Sequence, residues 1–519
     1  MWLWMLGAVV LALALVTLHD ITQRGHAVIR NFPVIGHLRY WLEALGPELR
    51  QYIVTGNDEE RPFSRDQRRW IYASAKRANN YFGFGTDNDL EQSQNYIIVK
   101  HAAFPLPDPT PGQPGYDPQY RLPCAKVLGA HRGRARAFRP ASLVNISGMS
   151  YGSLSAHAVE ALNRGAKLAG CMQTTGEGGL SRHHQHGGDL VWQIGTGYFG
   201  CRDAQGRFDL ARLVDTVAAN PVRALEIKLS QGAKPGMGGI LPKAKITAEI
   251  AAIRGVPRDR DCISPPYHSE FRDADGLLDF AERLSDATGG VPVGIKSAVG
   301  EIEFWKDLTR LMATTGRGVD FVTIDGGEGG TGAGPLVFSD HVALPFKVGF
   351  SRVYRAFAEA GLHERVVFVG SGRLGFPQEA LFALSLGCDL VNVGREAMMS
   401  VGCIQAQRCH TGHCPTGVAT QNPWLMRGLD PTLKAARAGN YLLTLRKELL
   451  QLSRACGAPH PALVKKRSLE LLDGNFNGVS VPRMFSYRED WGFPSAADQA
   501  EIARIMAAIQ AAADPAPHA

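Results

Sequence analysis

The chain has little net charge: 56 Lys and Arg against 49 Asp and Glu leave +7 over 519 residues. That bias argues against nucleic-acid binding and only weakly for an acidic partner or a membrane surface. No internal repeat of solenoid length is present, so the fold is not a stacked array. Cysteine is sparse, nine residues in all, and Cys124, Cys171, Cys201, Cys262, Cys388 and Cys456 are scattered through apparent strands and loops. An odd count without a repeating framework argues against a secreted disulfide scaffold, and these six read as buried or half-buried small hydrophobes in a reducing compartment.

Charge is absent altogether from residues 1–18, MWLWMLGAVVLALALVTL. A run of that length lies at the short end of what crosses a hydrocarbon core of about 30 Å, so it reads as a transmembrane helix. A signal peptide is the competing reading, because Ala12-Leu13-Ala14 mimics a cleavage site, but no basic segment precedes the run. Arg24, Arg30 and Arg39 follow it, which by the positive-inside rule places the bulk of the chain in the cytoplasm, on a single-pass anchor in the inner (cytoplasmic) membrane.

Residues 19–140 form an expected N-terminal collar, irregular apart from a helix near 64–79. From 141 to 425 short apolar runs alternate with amphipathic stretches, and 426–519 form a C-terminal helical tail. The runs are LVNIS (143–147), CMQTT (171–175), ALEIKL (224–229), DCIS (261–264), VPVGIK (291–296), DFVTID (320–325), VVFVG (366–370) and DLVNVG (389–394). Helices are expected near 153–168, 244–254, 276–288, 301–315, 342–360, 377–386 and 433–455. Eight βα units define an α/β fold, a TIM (β/α)8 barrel, whose chemistry gathers at the C-terminal ends of the strands.

The segments after those runs are rich in glycine, which lets backbone N–H groups approach a ligand. Gly370, Gly372 and Arg373, with Gly394 and Arg395, follow the seventh and eighth strands, the usual phosphate position of such barrels. A phosphate-bearing cofactor is implied, and FMN is the commonest fit. Beyond the eighth strand Cys403, Cys409 and Cys414 stand at C-x5-C-x4-C spacing with a proline after the last. Soft thiolates so grouped select an iron–sulfur centre or zinc.

Gly327 to Gly332 also matches G-x-G-x-x-G, but four glycines and Pro335 delay any helix and no acid stands about 20 residues on, so a dinucleotide site is rejected. His183, His184 and His186 have no second ligand cluster tied to them and read as a solvated or substrate-facing loop. The basic run 131–139 reads as a solvated loop, with a phosphate or partner seat as the alternative.

Six ordered blocks carry a resemblance: MSYGSLS (149–155), GEGG (176–179), QGAKPG (231–236), SPP (264–266), DGGEGGTG (325–332) and the cysteine motif from Cys403 through Gln421. The segment 144–421 resembles the FMN-binding synthase domain of glutamate synthase. The resemblance implies a flavoprotein oxidoreductase acting on CH–NH2 donors. In it reduced FMN passes hydride to an imine formed from 2-oxoglutarate and ammonia, giving L-glutamate. It also implies a 3Fe-4S cluster on Cys403, Cys409 and Cys414 that feeds the flavin, or a 4Fe-4S cluster with a further ligand.

By the same resemblance Met149, Ser150, Gly152, Gly329, Gly330, Thr331 and Gly332 join the phosphate-loop residues in holding FMN. Lys296, closing the fifth strand, would sit at flavin N1/O2, where charge accumulates on reduction. Glu177 would position substrate or move a proton to nitrogen. Gln231, expected after the third strand, would face flavin or substrate, and Lys234 would bind a carboxylate or brace its loop. Leu180-Ser181-Arg182-His183 and Ser297 to Glu301 depart from the family pattern on the substrate side.

Neither a glutaminase domain nor a nicotinamide unit is recognisable, so ammonia or an amine and the electrons are expected from outside. The donor would be ferredoxin, a separate reductase or a membrane donor, and an oligomer is compatible with all of these. Two other readings are an amine-exchange subunit like N-methylglutamate synthase and a non-catalytic electron-relay flavoprotein at the membrane.

Overall fold

Eight short runs, nearly all of their side chains buried, form the strands of a closed parallel barrel: β1 Val144–Ile146, β2 Met172–Thr174, β3 Asp189–Ile194, β4 Val222–Lys228, β5 Val293–Ser297, β6 Phe321–Asp325, β7 Val367–Ser371 and β8 Leu390–Val393. Burial of both faces is what a parallel sheet surrounded by helices demands, and it explains why the strands read as unbroken apolar runs. The barrel closes where Val391 of β8 pairs with Val144 of β1. The computed structural model describes residues 1–23, 26–49, 59–86, 88–90 and 93–513. It comprises two units, Met1–Arg69 with Phe84–Asn88, and Trp70–Gly83 with Asp89–Ala519.

One of the eight expected strands is misplaced. Cys262–Ile263 is not in the barrel; it pairs antiparallel with Ile240–Leu241 inside the long excursion between β4 and β5. The missing strand is β3, DLVWQI. No α-helix separates it from β2, only the 3-10 turn Arg182–His184, so the expected strand–helix rhythm skips it. The two errors cancel in the count: Lys296 does lie on the fifth strand, whereas Gln231 follows the fourth rather than the third.

Helices cover the strands where the amphipathic stretches foretold them, and several start on a side-chain cap. Ser155 accepts from Ala158 N–H ahead of Ala156–Ala169, and Asp430 from Leu433 N–H ahead of Pro431–Ala455. These two helices pack so closely that a Cβ on Gly165 would lie 2.6 Å from Ala438 Cβ. A small three-stranded antiparallel sheet joins Ile97–Val99, Leu469–Leu472 and Gly478–Ser480. In the first unit, Trp2–Thr22 is a 21-residue helix of mean hydropathy 2.0, long and apolar enough to cross a membrane. Two further helices, the five-residue Ala27–Asn31 and Gly36–Leu49, occupy part of the stretch expected to be irregular.

The basic run is a surface loop, with His131, Gly133 and Ala135 to Ala137 exposed, but its arginines are engaged. Arg134 pairs with Glu282 at 2.7 Å and with the fully buried Asp320 at 3.2 Å, while Arg136 donates to the carbonyls of Thr288 and Val222. It ties the N-terminal ends of β4 to β6 together. The six scattered cysteines are free, five of them buried.

Three histidines are buried as neutral rings: His184, its Nδ1 2.9 Å from Ser181 Oγ; His268, between Tyr198 Oη and the Lys228 carbonyl; and His460. Burial pushes each down to about 4. The unfolded chain protonates such rings near pH 6.5, so stability present above that pH is lost as pH falls toward 4. Asp389, pushed up to about 6 by burial, works in the opposite sense because the folded state takes its proton first. Denaturant unfolding at pH 5 is expected to give a stability about 2–4 kcal/mol below that at pH 7. A flat profile over this interval would mean that the rings are protonated in the folded state.

Candidate active site

Charged side chains converge where β2, β4, β5 and β6 end. Glu177, in the loop after β2, lies 2.9 Å through Oε1 from Nζ of Lys228, the last residue of β4. Lys228 also donates to Gln231 Oε1 at 2.5 Å. Burial acts to raise the Glu177 carboxyl, but Lys228, with Lys234 and Arg254 beyond it, wins and holds it below its ordinary value. Glu177 is therefore an ionised acceptor at neutral pH, not a resting proton donor.

Lys296 is the register partner of Lys228 across the β4–β5 ladder. Its Nζ lies 3.5 Å from Asp325 Oδ2 at the end of β6, and both side chains are 7% exposed. Asp325 Oδ2 also accepts from Gly232 N–H at 3.0 Å. Burial again pushes this carboxyl up, and Lys296 together with the Gly232 N–H holds it down. Lys234 is buried and donates to the Ala333 carbonyl at 3.0 Å. Burial lowers it to about 8, against the pull of Glu177. Two ion pairs and a third, easily deprotonated lysine thus face the same end of the barrel.

The glycine loops bring these groups together by close backbone approach. A Cβ on Gly176 would lie 2.4 Å from Ser150 N, and one on Gly232 would lie 1.7 Å from the Gly326 carbonyl oxygen. Met149, Ser150 and Gly152 occupy the loop after β1, where Arg254 donates to the Tyr151 carbonyl at 3.1 Å. Gly329, Gly330, Thr331 and Gly332 lie in the loop after β6. Gly330 abuts Arg395 and Gly332 abuts Ser153, so the loop reaches both β8 and the loop after β1. That segment runs without helix to Pro335, ahead of the six-residue helix Leu336–His341, in keeping with the rejected dinucleotide motif.

At the ends of β7 and β8, Gly372 and Arg373 both take positive φ, +130° and +54°. Arg395 donates to the Glu328 carbonyl. Burial, and then the neighbouring Arg373, push Arg395 below its ordinary value. Two guanidinium groups so placed suit an anion between β7 and β8. Gly370 lies within β7, facing Leu374, Phe346 and Cys388, and a Cβ there would meet all three within 3 Å; packing accounts for it.

Cys403, Cys409 and Cys414 share the loop after Arg395–Ser400. Cys403 Sγ accepts from Gln405 N–H at 3.4 Å, and its carbonyl accepts from Tyr72 Oη at 2.8 Å. Lys245 donates to the Cys409 carbonyl at 3.1 Å. Burial pushes the Cys403 thiol up to about 12, with Cys409 and Cys414 adding to the rise. Among the described residues no three His, Cys, Asp or Glu side chains close to metal-binding distance. The thiols nonetheless fit a thiophilic metal in kind and number: all three are free, on one loop, with Lys245 and Arg395 near enough to act on them.

His183, His184 and His186 diverge, toward Glu249 at 3.1 Å, Ser181 Oγ at 2.9 Å and Glu160 at 3.9 Å respectively. Sequence reasoning missed Lys228 and Arg254. The signal for Lys228 was there: a lysine closes the apolar run ALEIK as Lys296 closes VPVGIK. Arg254 ends an amphipathic helix, where an arginine ordinarily faces water.

Fold and site together define a parallel (β/α)8 barrel protein with buried ion pairs and glycine loops at the C-terminal ends of its strands. Residues 130–459 match the family model described as the conserved region in glutamate synthase. The chain is 38% identical over 478 residues to the glutamate synthase large subunit-like protein YerD of Bacillus subtilis (strain 168), covering 86% of this chain and 90% of that one. It is 35% identical over 334 residues to the archaeal glutamate synthase (NADPH) of Methanocaldococcus jannaschii, covering 64% of this chain but only 61% of the relative. The chain belongs to the glutamate synthase family.

Proposed function

We propose that this protein is an FMN-dependent oxidoreductase that forms L-glutamate reductively from 2-oxoglutarate and ammonia. The observation that carries the reading is the meeting of the Glu177–Lys228 and Lys296–Asp325 pairs at one end of the barrel, in a member of this family. Bound FMN would supply hydride. Arg373 and Arg395 would hold its phosphate, and Gly329, Gly330, Thr331 and Gly332 would pack against it. Lys296 would face the ring edge that gains negative charge, with Asp325 orienting the ammonium.

Lys228 and Arg254 supply positive charge for the substrate's carboxylates. Glu177, kept ionised, would accept an N–H from the imine and orient its carbon. Lys234, lowered to about 8, is the most available proton source for the product nitrogen. Cys403, Cys409 and Cys414 would hold an iron–sulfur cluster through which electrons enter, and Trp2–Thr22 would anchor the protein in a membrane. The test is anaerobic reduction of the purified holoprotein with dithionite, removal of excess reductant, and addition of 2-oxoglutarate with ammonium. Flavin reoxidation with one glutamate per flavin is expected. Reoxidation with 2-oxoglutarate and methylamine, giving N-methylglutamate, but not with 2-oxoglutarate and ammonium would favour the N-methylglutamate synthase-like reading, and no reoxidation with either amine would leave an electron carrier.

A further inference from the structure

The helix Gly36–Leu49 carries Leu38, Trp41, Leu42, Leu45 and Leu49 at spacings of three and four residues. At 3.6 residues per turn these five fall in an arc of about 100°, a continuous apolar stripe. All are exposed, from 42% at Leu49 to 71% at Trp41, and Ile35 just ahead of the helix extends the stripe at 75%. The other side is polar, with Arg39 and Glu43 paired at 2.9 Å. Single exposed leucines need no explanation, but a stripe along a whole helix needs a cover.

The first unit itself indicates which cover. Asp20, near the C-terminal end of Trp2–Thr22, is fully buried: it accepts from Val34 N–H at 2.8 Å and meets His37 Nε2 at 2.9 Å. The chain turns back there, so Gly36–Leu49 begins level with the end of Trp2–Thr22. Trp2–Thr22 exposes apolar side chains all round. A helix that starts where a spanning helix leaves the hydrocarbon, with leucine and tryptophan on one face and an ion pair on the other, has the pattern of a segment lying in the interface.

We propose that Gly36–Leu49 is an in-plane membrane helix whose stripe is buried in the lipid bilayer. The proposal rests on the reading of Trp2–Thr22 as a membrane span. Such an arrangement would hold the chain to the membrane at two points and restrain its swing about a single anchor.

A benzophenone-bearing residue placed separately at Leu11, Leu42, Glu43 and Leu45 in the full-length protein, reconstituted in phosphatidylethanolamine–phosphatidylglycerol vesicles and irradiated, tests this. Lipid adducts at Leu42 and Leu45 are expected to exceed those at Glu43 several-fold, with Leu11 as the positive control for the span. Adducts at Leu11 with none at Leu42 and Leu45 would leave the anchor standing and overturn the in-plane helix. Cross-links from Leu42 or Leu45 to a second copy, or to another part of the same chain, would overturn it in favour of a protein cover. Equal yields at Glu43 and Leu45 would remove the facing on which it depends, and no adduct at Leu11 would overturn the anchor and this helix together.

Discussion

Replacing Lys296 with methionine is expected to lower glutamate formation about 10²–10³-fold, the scale on which loss of one preorganised charge or donor acts on a developing negative charge. The same substitution leaves the buried Asp325 with the Gly232 N–H, the Ser371 side chain and the more distant Lys228, but without its paired ammonium. Breaking a buried pair from one side costs about 3–5 kcal/mol, so the variant should unfold at distinctly lower denaturant. Adding Asp325→Asn removes the orphaned charge and should recover most of that stability. It should not recover turnover if Lys296 acts on the flavin. Denaturant titration and steady-state rates on both variants separate the two roles: turnover restored in the double variant would show that Lys296 merely neutralises Asp325. The flavin spectrum of the reduced form adds a second readout, since loss of a cation beside N1/O2 should shift the reduction potential downward, which a merely structural lysine would not do.

How far the barrel could be read in advance depended on what each segment buries. Seven of its strands fall in the short, largely apolar runs, because parallel strands covered by helices are buried on both faces; the polar residues they do carry, such as Glu226 and Thr323, hydrogen-bond to one another inside the barrel. DLVWQI has the same character but opens on Asp189 and follows its predecessor without a helix, so periodicity gave it no boundary. DCIS carried a strand signal and is a strand, in a side hairpin where Ile263 faces solvent. The helix Gly36–Leu49 was overlooked because Gly36, Gly46 and Pro47 interrupt it, although the spacing of its leucines is regular.

At the site, strand-end position singled out Lys296, at the end of its apolar run, and Glu177, between two glycines of the loop after β2. What periodicity could not supply was partnership. Glu177 meets Lys228 across the intervening β3, and Lys296 meets Asp325 across the β5–β6 ladder, pairings set by strand order and register rather than by local pattern. Those partners bear on the chemistry: of the two roles expected of Glu177, positioning substrate or moving a proton, its ionised state suits the first.

Serine at any of Cys403, Cys409 or Cys414 is expected to empty the protein of iron while leaving its flavin and its folded barrel in place. The reason lies in where the thiols are. Their loop follows β8 and the helix Arg395–Ser400, outside the strands and the ion pairs, so a substitution there leaves the end of the barrel proposed to transfer hydride intact. Two of the thiols are poor acids in the absence of metal: burial and then the neighbouring thiols raise Cys403 and Cys409, against the opposing pull of the Gln405 N–H and Arg395 on the first and of Lys245 on the second. Binding must therefore displace protons, and the gain from metal–thiolate bonds has to exceed that cost. A serine hydroxyl ionises far less readily than a thiol and is a hard ligand, so two thiolates and a serine should not retain a thiophilic cluster. Iron per chain and the low-temperature EPR signal of anaerobically purified protein should both vanish in each variant. Glutamate formation driven by a one-electron donor protein should fall to background, while reoxidation of chemically reduced flavin by 2-oxoglutarate and ammonium should persist. Persistence of donor-driven turnover in all three variants, or zinc in place of iron in the unaltered protein, would mean that electrons reach the flavin by another path.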